Sequence, residues 1–193
     1  SLLGRVKIGL EYATSRSGPL AMAPSQFGLF TKSDPSLATP DLEYHVQPLS
    51  TDKLGDPLHS FPAITVSVCN LRPESVGDCH ITTKDADPQP HIKLNYLSAA
   101  RDKQVAVIAI KQAREVMTAK ALQPYHPEEF LPGSSIRSEA ELLAEAGNIA
   151  TTIFHPTGTC KMGSDPMAVV GADLRVHGLA GLRVIDASIM PKI

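Results

Sequence analysis

The chain has 193 residues, 42% of them hydrophobic, which predicts a packed globular fold and excludes a wholly disordered chain. The net charge of -2 comes from 18 basic and 20 acidic residues without a block of either sign. Neither a nucleic-acid-binding surface nor a polybasic membrane patch is therefore expected. No apolar run approaches the roughly 18 to 20 residues that cross a bilayer, and the amino terminus lacks the features of a signal peptide.

The three cysteines lie at spacings that suit neither a zinc site nor a dense disulfide framework. This pattern favours a reducing, cytoplasmic compartment. The chain starts with Ser1-Leu2-Leu3 instead of an initiator methionine, which indicates the interior of a longer protein.

The first half of the chain predicts a short helix and then extended segments. Apolar residues recur at helical spacing over residues 3–15, and Ser17-Gly18-Pro19 ends the pattern. A loop over residues 20–36 leads into a strand, and residues 42–49 alternate as a half-buried strand does. Residues 61–71 give the clearest strand pattern. Residues 79–83 resume a strand after a turn, so we expect these two to be antiparallel neighbours, followed by a short extended segment at 91–94.

The second half changes to a helical period. No Gly or Pro interrupts the run from Ser98 to Pro124, which predicts the longest helix. Ser138-Glu139-Ala140-Glu141 is a capping-box pattern that predicts the start of another helix, which Gly147-Asn148 ends or interrupts. Strands in one block with helices beside them indicate an α+β fold with a mostly antiparallel sheet.

Reactive side chains are most concentrated in residues 155–163, where an imidazole, a thiol, a thioether and two glycines lie close together in sequence. An imidazole exchanges protons near neutral pH, and a loop places it within reach of a substrate. On the residues alone, however, a hydrogen-bonded structural histidine is the more common role for a residue such as His155.

Other kinds of reactive site have less support. The remaining histidines are scattered without an i, i+4 pair or a Cys-rich partner segment, so no metal site is predicted. Cys160 lies too close in sequence to His155 for the loop to double back, which disfavours a cysteine hydrolase. No Gly-x-Ser-x-Gly elbow occurs, which disfavours a serine hydrolase of that kind.

A set of motifs spread along the chain carries a family resemblance. The motifs are His155-Pro156-Thr157-Gly158-Thr159-Cys160-Lys161-Met162-Gly163, Leu174-Arg175-Val176-His177-Gly178, Gly181-Leu182-Arg183-Val184-Ile185-Asp186-Ala187-Ser188-Ile189-Met190-Pro191, Asn70-Leu71-Arg72-Pro73-Glu74-Ser75, Asn95-Tyr96-Leu97 and Gly18-Pro19-Leu20. With them the chain resembles the C-terminal, substrate-binding portion of the glucose-methanol-choline (GMC) oxidoreductases, with a choline dehydrogenase-like character, over nearly its whole length.

The resemblance implies an FAD enzyme that oxidises a primary alcohol, choline-like or other, to the aldehyde by hydride transfer. His155 matches the family histidine that handles the hydroxyl proton, and removing that proton raises the electron density that drives hydride out of the carbon. The family's Asp-Ala-Ser segment runs past the flavin, so Asp186 and Ala187 are the expected cofactor contacts. Residues 182–185 are equally compatible with a buried strand that ends in a cap.

The resemblance also implies the domain organisation of a larger, two-domain flavoenzyme. Residues 1–152 correspond to part of a substrate-binding domain, an antiparallel sheet with helices packed on one face. Residues 153–193 correspond to the active-site histidine segment, truncated as it returns to the FAD domain. The expected partners are a small-molecule alcohol and the missing N-terminal FAD-binding portion of the same protein. The full-length protein is expected in the cytoplasm, with scope for peripheral membrane association.

The chain departs from the family pattern at two points that bear on function. No Gly-x-Gly-x-x-Gly fingerprint occurs, so the ADP half of FAD has no site here. The family's second catalytic residue, a histidine or asparagine, is expected after the chain ends. We therefore expect this fragment alone to be inactive. Two alternatives stay open: a non-catalytic binding or assembly module derived from the same domain, and a cofactor-free lyase on a related scaffold.

Overall fold

A computed structural model describes residues 2–23, 25–53 and 55–193, and divides the chain into two units, Ser1–Cys69 and Asn70–Ile193. The N-terminal unit starts with helix α1, Leu2–Ser15, which confirms the predicted helix. Apolar side chains recur on this helix at helical spacing, yet none of its residues is buried: Leu3, Val6 and Leu10 are 84%, 60% and 63% exposed. The helix therefore adds nothing to the core of its unit.

The sheet of the N-terminal unit contains β1 (Phe27–Thr31), β2 (Leu42–Gln47) and β3 (Thr65–Asn70), in the order β1-β2-β3. Strands β1 and β2 are antiparallel. The alternation predicted for β2 is confirmed, because Leu42 and Tyr44 are fully buried and form the core of this unit. Burial raises the pKa of the Tyr44 phenol to about 12, so it stays protonated.

The C-terminal unit has a helical core and a separate hairpin. Helices α2 (Ala100–Met117) and α3 (Glu139–Ile149) pack against each other, and both were predicted. Their buried residues include Val105, Ala109, Leu142 and Ala146. The capping box at Ser138 is confirmed in both directions, with the Glu141 N–H at 3.3 Å from Ser138 Oγ and the Ser138 N–H at 3.0 Å from Glu141 Oε2. Helix α3 continues through Gly147 to Ile149.

The predicted pairing of the 61–71 and 79–83 strands is wrong. Strand β3 joins β2, whereas β4 (Asp78–His80) pairs with β5 (His91–Lys93) as a separate antiparallel hairpin. The physical reason lies in the connecting segment. The carboxylate of Asp102 accepts hydrogen bonds from the N–H groups of Glu74 and Ser75, so this segment is bound to helix α2 and does not close a hairpin.

The α+β fold class is confirmed, with antiparallel pairing in both sheets and helices outside them. No helix in the described part of the chain combines the length and apolar character needed to cross a membrane.

The Asp102 interaction gives a test of stability. Replacing Asp102 with Ala leaves three buried or half-buried donors without their acceptor, so we expect the free energy of unfolding to fall by about 3 kcal/mol in urea denaturation at pH 7. Lys103→Ala, an exposed change one residue further along α2, is the control and should alter it by less than about 0.5 kcal/mol.

The same site predicts a pH dependence. The pKa of Asp102 is lowered in the folded state, so its stabilising effect is present above its unfolded pKa of about 3.9 and is lost as the pH falls through the lower, folded value. The stability difference between the wild type and Asp102→Asn should therefore shrink in strong acid. A difference that is constant from pH 7 to pH 3 and below would contradict the role of the charge.

Candidate active-site segment

His155 lies in an irregular segment that follows α3, and its side chain is exposed. The backbone on both sides of it is constrained. The Phe154 N–H donates to Thr152 Oγ1 at 2.9 Å, and Phe154 has a left-handed φ of 63°. Pro156 restricts the backbone directly after the histidine. The imidazole is therefore presented to solvent from a chain segment with little conformational freedom.

Beyond the histidine, the segment turns and pairs with the end of the chain. Gly158 has φ 85°, and the Lys161 N–H closes a turn on its carbonyl at 3.2 Å. The Cys160 N–H then donates to the Ser188 carbonyl at 3.0 Å, and the Met162 N–H to the Ile189 carbonyl at 2.7 Å. The structure thus joins the two segments for which the family resemblance implies proton handling and cofactor contact.

Asp186 and Ala187 lie on the second of these segments, and both are exposed. The Asp186 carboxylate accepts from the Ser188 N–H at 2.8 Å and caps the 3₁₀ helix Ala187–Ile189. Hydrogen bonds from Ser188 lower the pKa of Asp186, so it is ionised at neutral pH. The cap expected here is present, although the Asp186 side chain is already engaged in it.

The interpretation of residues 182–185 as a buried strand is wrong, since Leu182 and Ile185 are 49% and 74% exposed. The segment pairs with the neighbouring loop, through the Val184 N–H and the Leu174 carbonyl at 3.2 Å, the Val176 N–H and the Leu182 carbonyl at 3.1 Å, and an isolated bridge between Arg175 and Arg183.

The buried side chain of Val170 lies at the centre of the loops that follow the histidine. Val170 is fully buried and bridges both Met162 and Val176. The Gly163 N–H donates to the Val170 carbonyl at 3.0 Å, and His177 Nε2 lies 3.0 Å from the Gly163 carbonyl. Because a carbonyl can only accept, this His177 nitrogen carries the proton. His177 therefore has a structural role in the loop that follows His155.

Exposed apolar residues precede the histidine and also lie on the segment paired with its loop. Ile153 and Phe154 precede it and are 47% and 65% exposed, and Ile185 and Met190 of the paired segment are 74% and 49% exposed. Exposed apolar side chains at these positions are available for contact with a ligand or another protein part. Over residues 2–23, 25–53 and 55–193, no group of three or more His, Cys, Asp or Glu side chains is placed to hold a metal ion.

Sequence reasoning missed what holds the Asn70–Ser75 motif in place. Asp102 binds it through Asn70 Nδ2 at 3.2 Å and the Glu74 and Ser75 N–H groups at 3.0 and 2.7 Å. An aspartate in the first turn of a helix has an ordinary local explanation, because it favours the positive end of the helix dipole. The only available signal was its helical spacing, because Asp102 lies three residues before Val105 and seven before Ala109, on the face that α2 buries.

A comparison with known protein families identifies the family of this chain. Residues 73–193 match the model of the family described as GMC oxidoreductase, which is more than half of the chain. The chain belongs to the GMC oxidoreductase family. The resemblance expected from the motifs is confirmed, and it includes the segments with His155, Asp186 and Ala187.

Individual GMC relatives agree with this assignment. The oxygen-dependent choline dehydrogenase of Proteus mirabilis (strain HI4320) is 40% identical over 187 residues, which is 97% of this chain and 34% of the relative. Pyridoxine 4-oxidase from Mesorbium loti superposes with a TM-score of 0.79 at 28% identity, covering 88% of this chain and 34% of that chain. Aspergillus oryzae RIB40 formate oxidase, solved in work on FAD modification, has a TM-score of 0.84 at 24% identity, covering 98% of this chain and 38% of that chain, which shows a shared fold.

The chain therefore spans about a third of the length of the curated GMC relatives it matches.

The turn at Gly158 can be tested directly. A Cβ there would be strained by φ 85° and would lie 3.5 Å from the Met190 carbonyl, so Gly158→Ala should lower stability by about 1 to 2 kcal/mol. In hydrogen exchange, the Cys160 and Met162 amides should lose protection. Gly147→Ala, in open space within helix α3, is the matched control and should be neutral or stabilising. Unchanged exchange at both amides would show that the pairing does not depend on this turn.

Proposed function

We propose that this chain is the C-terminal part of an FAD-dependent alcohol oxidoreductase that converts a primary alcohol to the aldehyde. The observation that carries the proposal is the position of His155, exposed on a constrained loop that two backbone hydrogen bonds join to the segment of Asp186 and Ala187. Family membership supports alcohol oxidation, and the choline dehydrogenases among the relatives support a choline-like alcohol.

In this proposal His155 takes the proton of the substrate hydroxyl. Loss of that proton increases the electron density on the carbinol carbon, which lowers the barrier to losing hydride. The resulting imidazolium then stabilises the developing alkoxide by charge. The second member of the proton-handling pair, a histidine or asparagine, is assigned to sequence beyond Ile193.

The residues present fit part of an FAD site. Ala187 is small and exposed, and as the first residue of its 3₁₀ helix its N–H has no acceptor within that turn. Asp186 keeps this turn in place through its bond to Ser188. We assign Asp186 and Ala187 to contacts with the flavin. When bound, FAD would supply the acceptor for the hydride.

The remaining contacts belong to other parts of the protein. Since no Gly-x-Gly-x-x-Gly occurs, we assign the ADP half of FAD to an N-terminal portion of the same protein, outside this chain. Residues 1–152 are proposed as part of the substrate-binding domain, and residues 153–193 as the segment that returns to the FAD domain. The exposed apolar side chains around His155 suit that contact. We also propose that the full-length protein is cytoplasmic, with scope for peripheral membrane association.

The role of His155 is tested in the full-length protein. Under anaerobic conditions, a primary alcohol should bleach the flavin absorbance, and a panel that includes choline identifies the substrate. His155→Ala should slow this reduction by about 10² to 10⁴-fold, the usual contribution of a positioned acid or base. His91→Ala, an exposed histidine in the β4–β5 hairpin, should leave it unchanged. Equal reduction rates in His155→Ala and wild type would remove His155 from the mechanism.

The division of the FAD site is tested with the chain alone. The 193-residue chain should fold and purify without flavin, and should not oxidise alcohols when FAD is added, because it supplies only part of the cofactor site. Absorbance at the flavin wavelengths gives the FAD content. A stoichiometric amount of copurifying flavin would show that the chain holds the cofactor by itself and would overturn this assignment.

A further inference from the structure

A hydrogen-bonded Ser-His-Asp relay, formed by Ser50, His59 and Asp52, lies in the segment between β2 and β3 of the N-terminal unit. Ser50 Oγ is 2.8 Å from His59 Nδ1, and His59 Nε2 is 3.2 Å from Asp52 Oδ1. The His59 side chain is only 15% exposed, whereas Asp52 is 69% exposed. The His59 ring also stacks on Phe61, with centroids 4.8 Å apart and planes at 15°. The imidazole is therefore held by contacts at its edge and on its face.

The direction of each hydrogen bond follows from the chemistry of the groups. An ionised carboxylate can only accept, so Nε2 of His59 carries the proton and donates it to Asp52. The other nitrogen, Nδ1, then presents its lone pair to Ser50, and the Ser50 hydroxyl donates to it. His59 Nδ1 can thus act as a base toward the Ser50 hydroxyl proton, and Asp52 sets the tautomer of His59. This is the order of nucleophile, base and orienting group used in acyl transfer.

The backbone keeps these residues together. The His59 N–H donates to the Ser50 carbonyl at 3.0 Å, which closes the loop at the base of the relay. Thr51 Oγ1 donates inside the loop, to the carbonyls of Lys53 at 3.0 Å and Asp56 at 3.2 Å. The relay is therefore built on a loop that is bonded to itself.

The relay opens into a cavity that is about half open to solvent. Ser50 and His59 line a space of about 270 Å³, and the other lining residues are apolar: Pro48, Leu49, Leu58, Phe61, Pro62 and Ala63. A small apolar pocket with a few convergent polar groups is the usual form of a small-molecule site. The apolar walls suit a short hydrocarbon chain, and the polar groups suit a carbonyl attached to it.

We propose that Ser50 is an acyl-accepting nucleophile and that this cavity takes the acyl group of a small carboxylic ester. Ser50 Oγ attacks the ester carbonyl carbon while its proton passes to His59 Nδ1. The carbon–oxygen bond to the alcohol breaks, and the leaving alcohol takes that proton. Water then attacks the acyl group on Ser50, gives its proton to Nδ1, and the acid leaves as Ser50 regains its hydroxyl proton. No electron acceptor is needed, so this activity is independent of FAD.

Labelling of the wild-type chain is the primary test. A fluorophosphonate probe should modify Ser50, and peptide mapping by mass spectrometry should find the label there and not on Ser60, an exposed serine of the same loop. The protein should hydrolyse p-nitrophenyl acetate with or without FAD. An unlabelled Ser50, or equal labelling of Ser50 and Ser60, would overturn the proposal.

Variants separate a nucleophile from a structural hydrogen bond. Ser50→Ala should reduce ester hydrolysis to the rate of the buffer, Asp52→Asn should lower it about tenfold or more, and Ser60→Ala should leave it unchanged. Asp52 is exposed, so its replacement is compatible with folding even if Ser50→Ala is not. Hydrolysis that persists at the wild-type rate in a folded Ser50→Ala or in Asp52→Asn would show that the relay only supports the loop.

Discussion

The buried carboxylate of Asp102 is the constraint on which the C-terminal unit depends. Its residue is only 4% exposed. Burial by itself would raise the pKa of this group, but hydrogen bonds from Ser75, the Glu74 N–H and Asn70 outweigh burial and lower it. An ionised group in such a position is stable only while its donors stay in place. The Ser75 hydroxyl in turn accepts the Ser98 and Ala99 N–H groups at 3.1 Å each, at the start of α2. The Asn70–Ser75 motif and the start of helix α2 therefore stabilise each other.

The candidate site follows directly in sequence from the helices that this interaction holds. Helix α2 buries Val105 and Ala109, and α3 packs against it with Leu142 and Ala146. Helix α3 ends at Ile149, a few residues before His155, so the packing of the helices determines where the site segment begins. A second, smaller core around Val170 determines where it continues. The histidine lies between these two anchors, which explains how an exposed side chain can have a defined backbone.

The elements predicted correctly are those whose signals are local. The start of α3 follows from a capping box within four consecutive residues, and α2 follows from its own apolar period. The partner of β3 was mispredicted because it depends on Asp102, a residue distant in sequence whose carboxylate binds the connecting segment. His155 was found through its motif. Its pairing with the end of the chain is made by backbone groups, which have no side-chain signature. The Ser50–His59 contact was missed because the loop lacks the elbow pattern by which such serines are found.

The exposure of His155 limits the chemistry that this chain can perform. A base selects one substrate hydroxyl only when water is excluded, because bulk water otherwise competes for the same proton and screens the developing charge. Here the imidazole is exposed, and so are Phe154 before it and Ile185 on the paired segment. The matched GMC relative is about three times longer, since the chain covers 34% of it. Positioning of the histidine and exclusion of water are therefore separable tasks. Under the proposed function, Gly158, Val170 and α3 would perform the first task and the rest of the protein would perform the second.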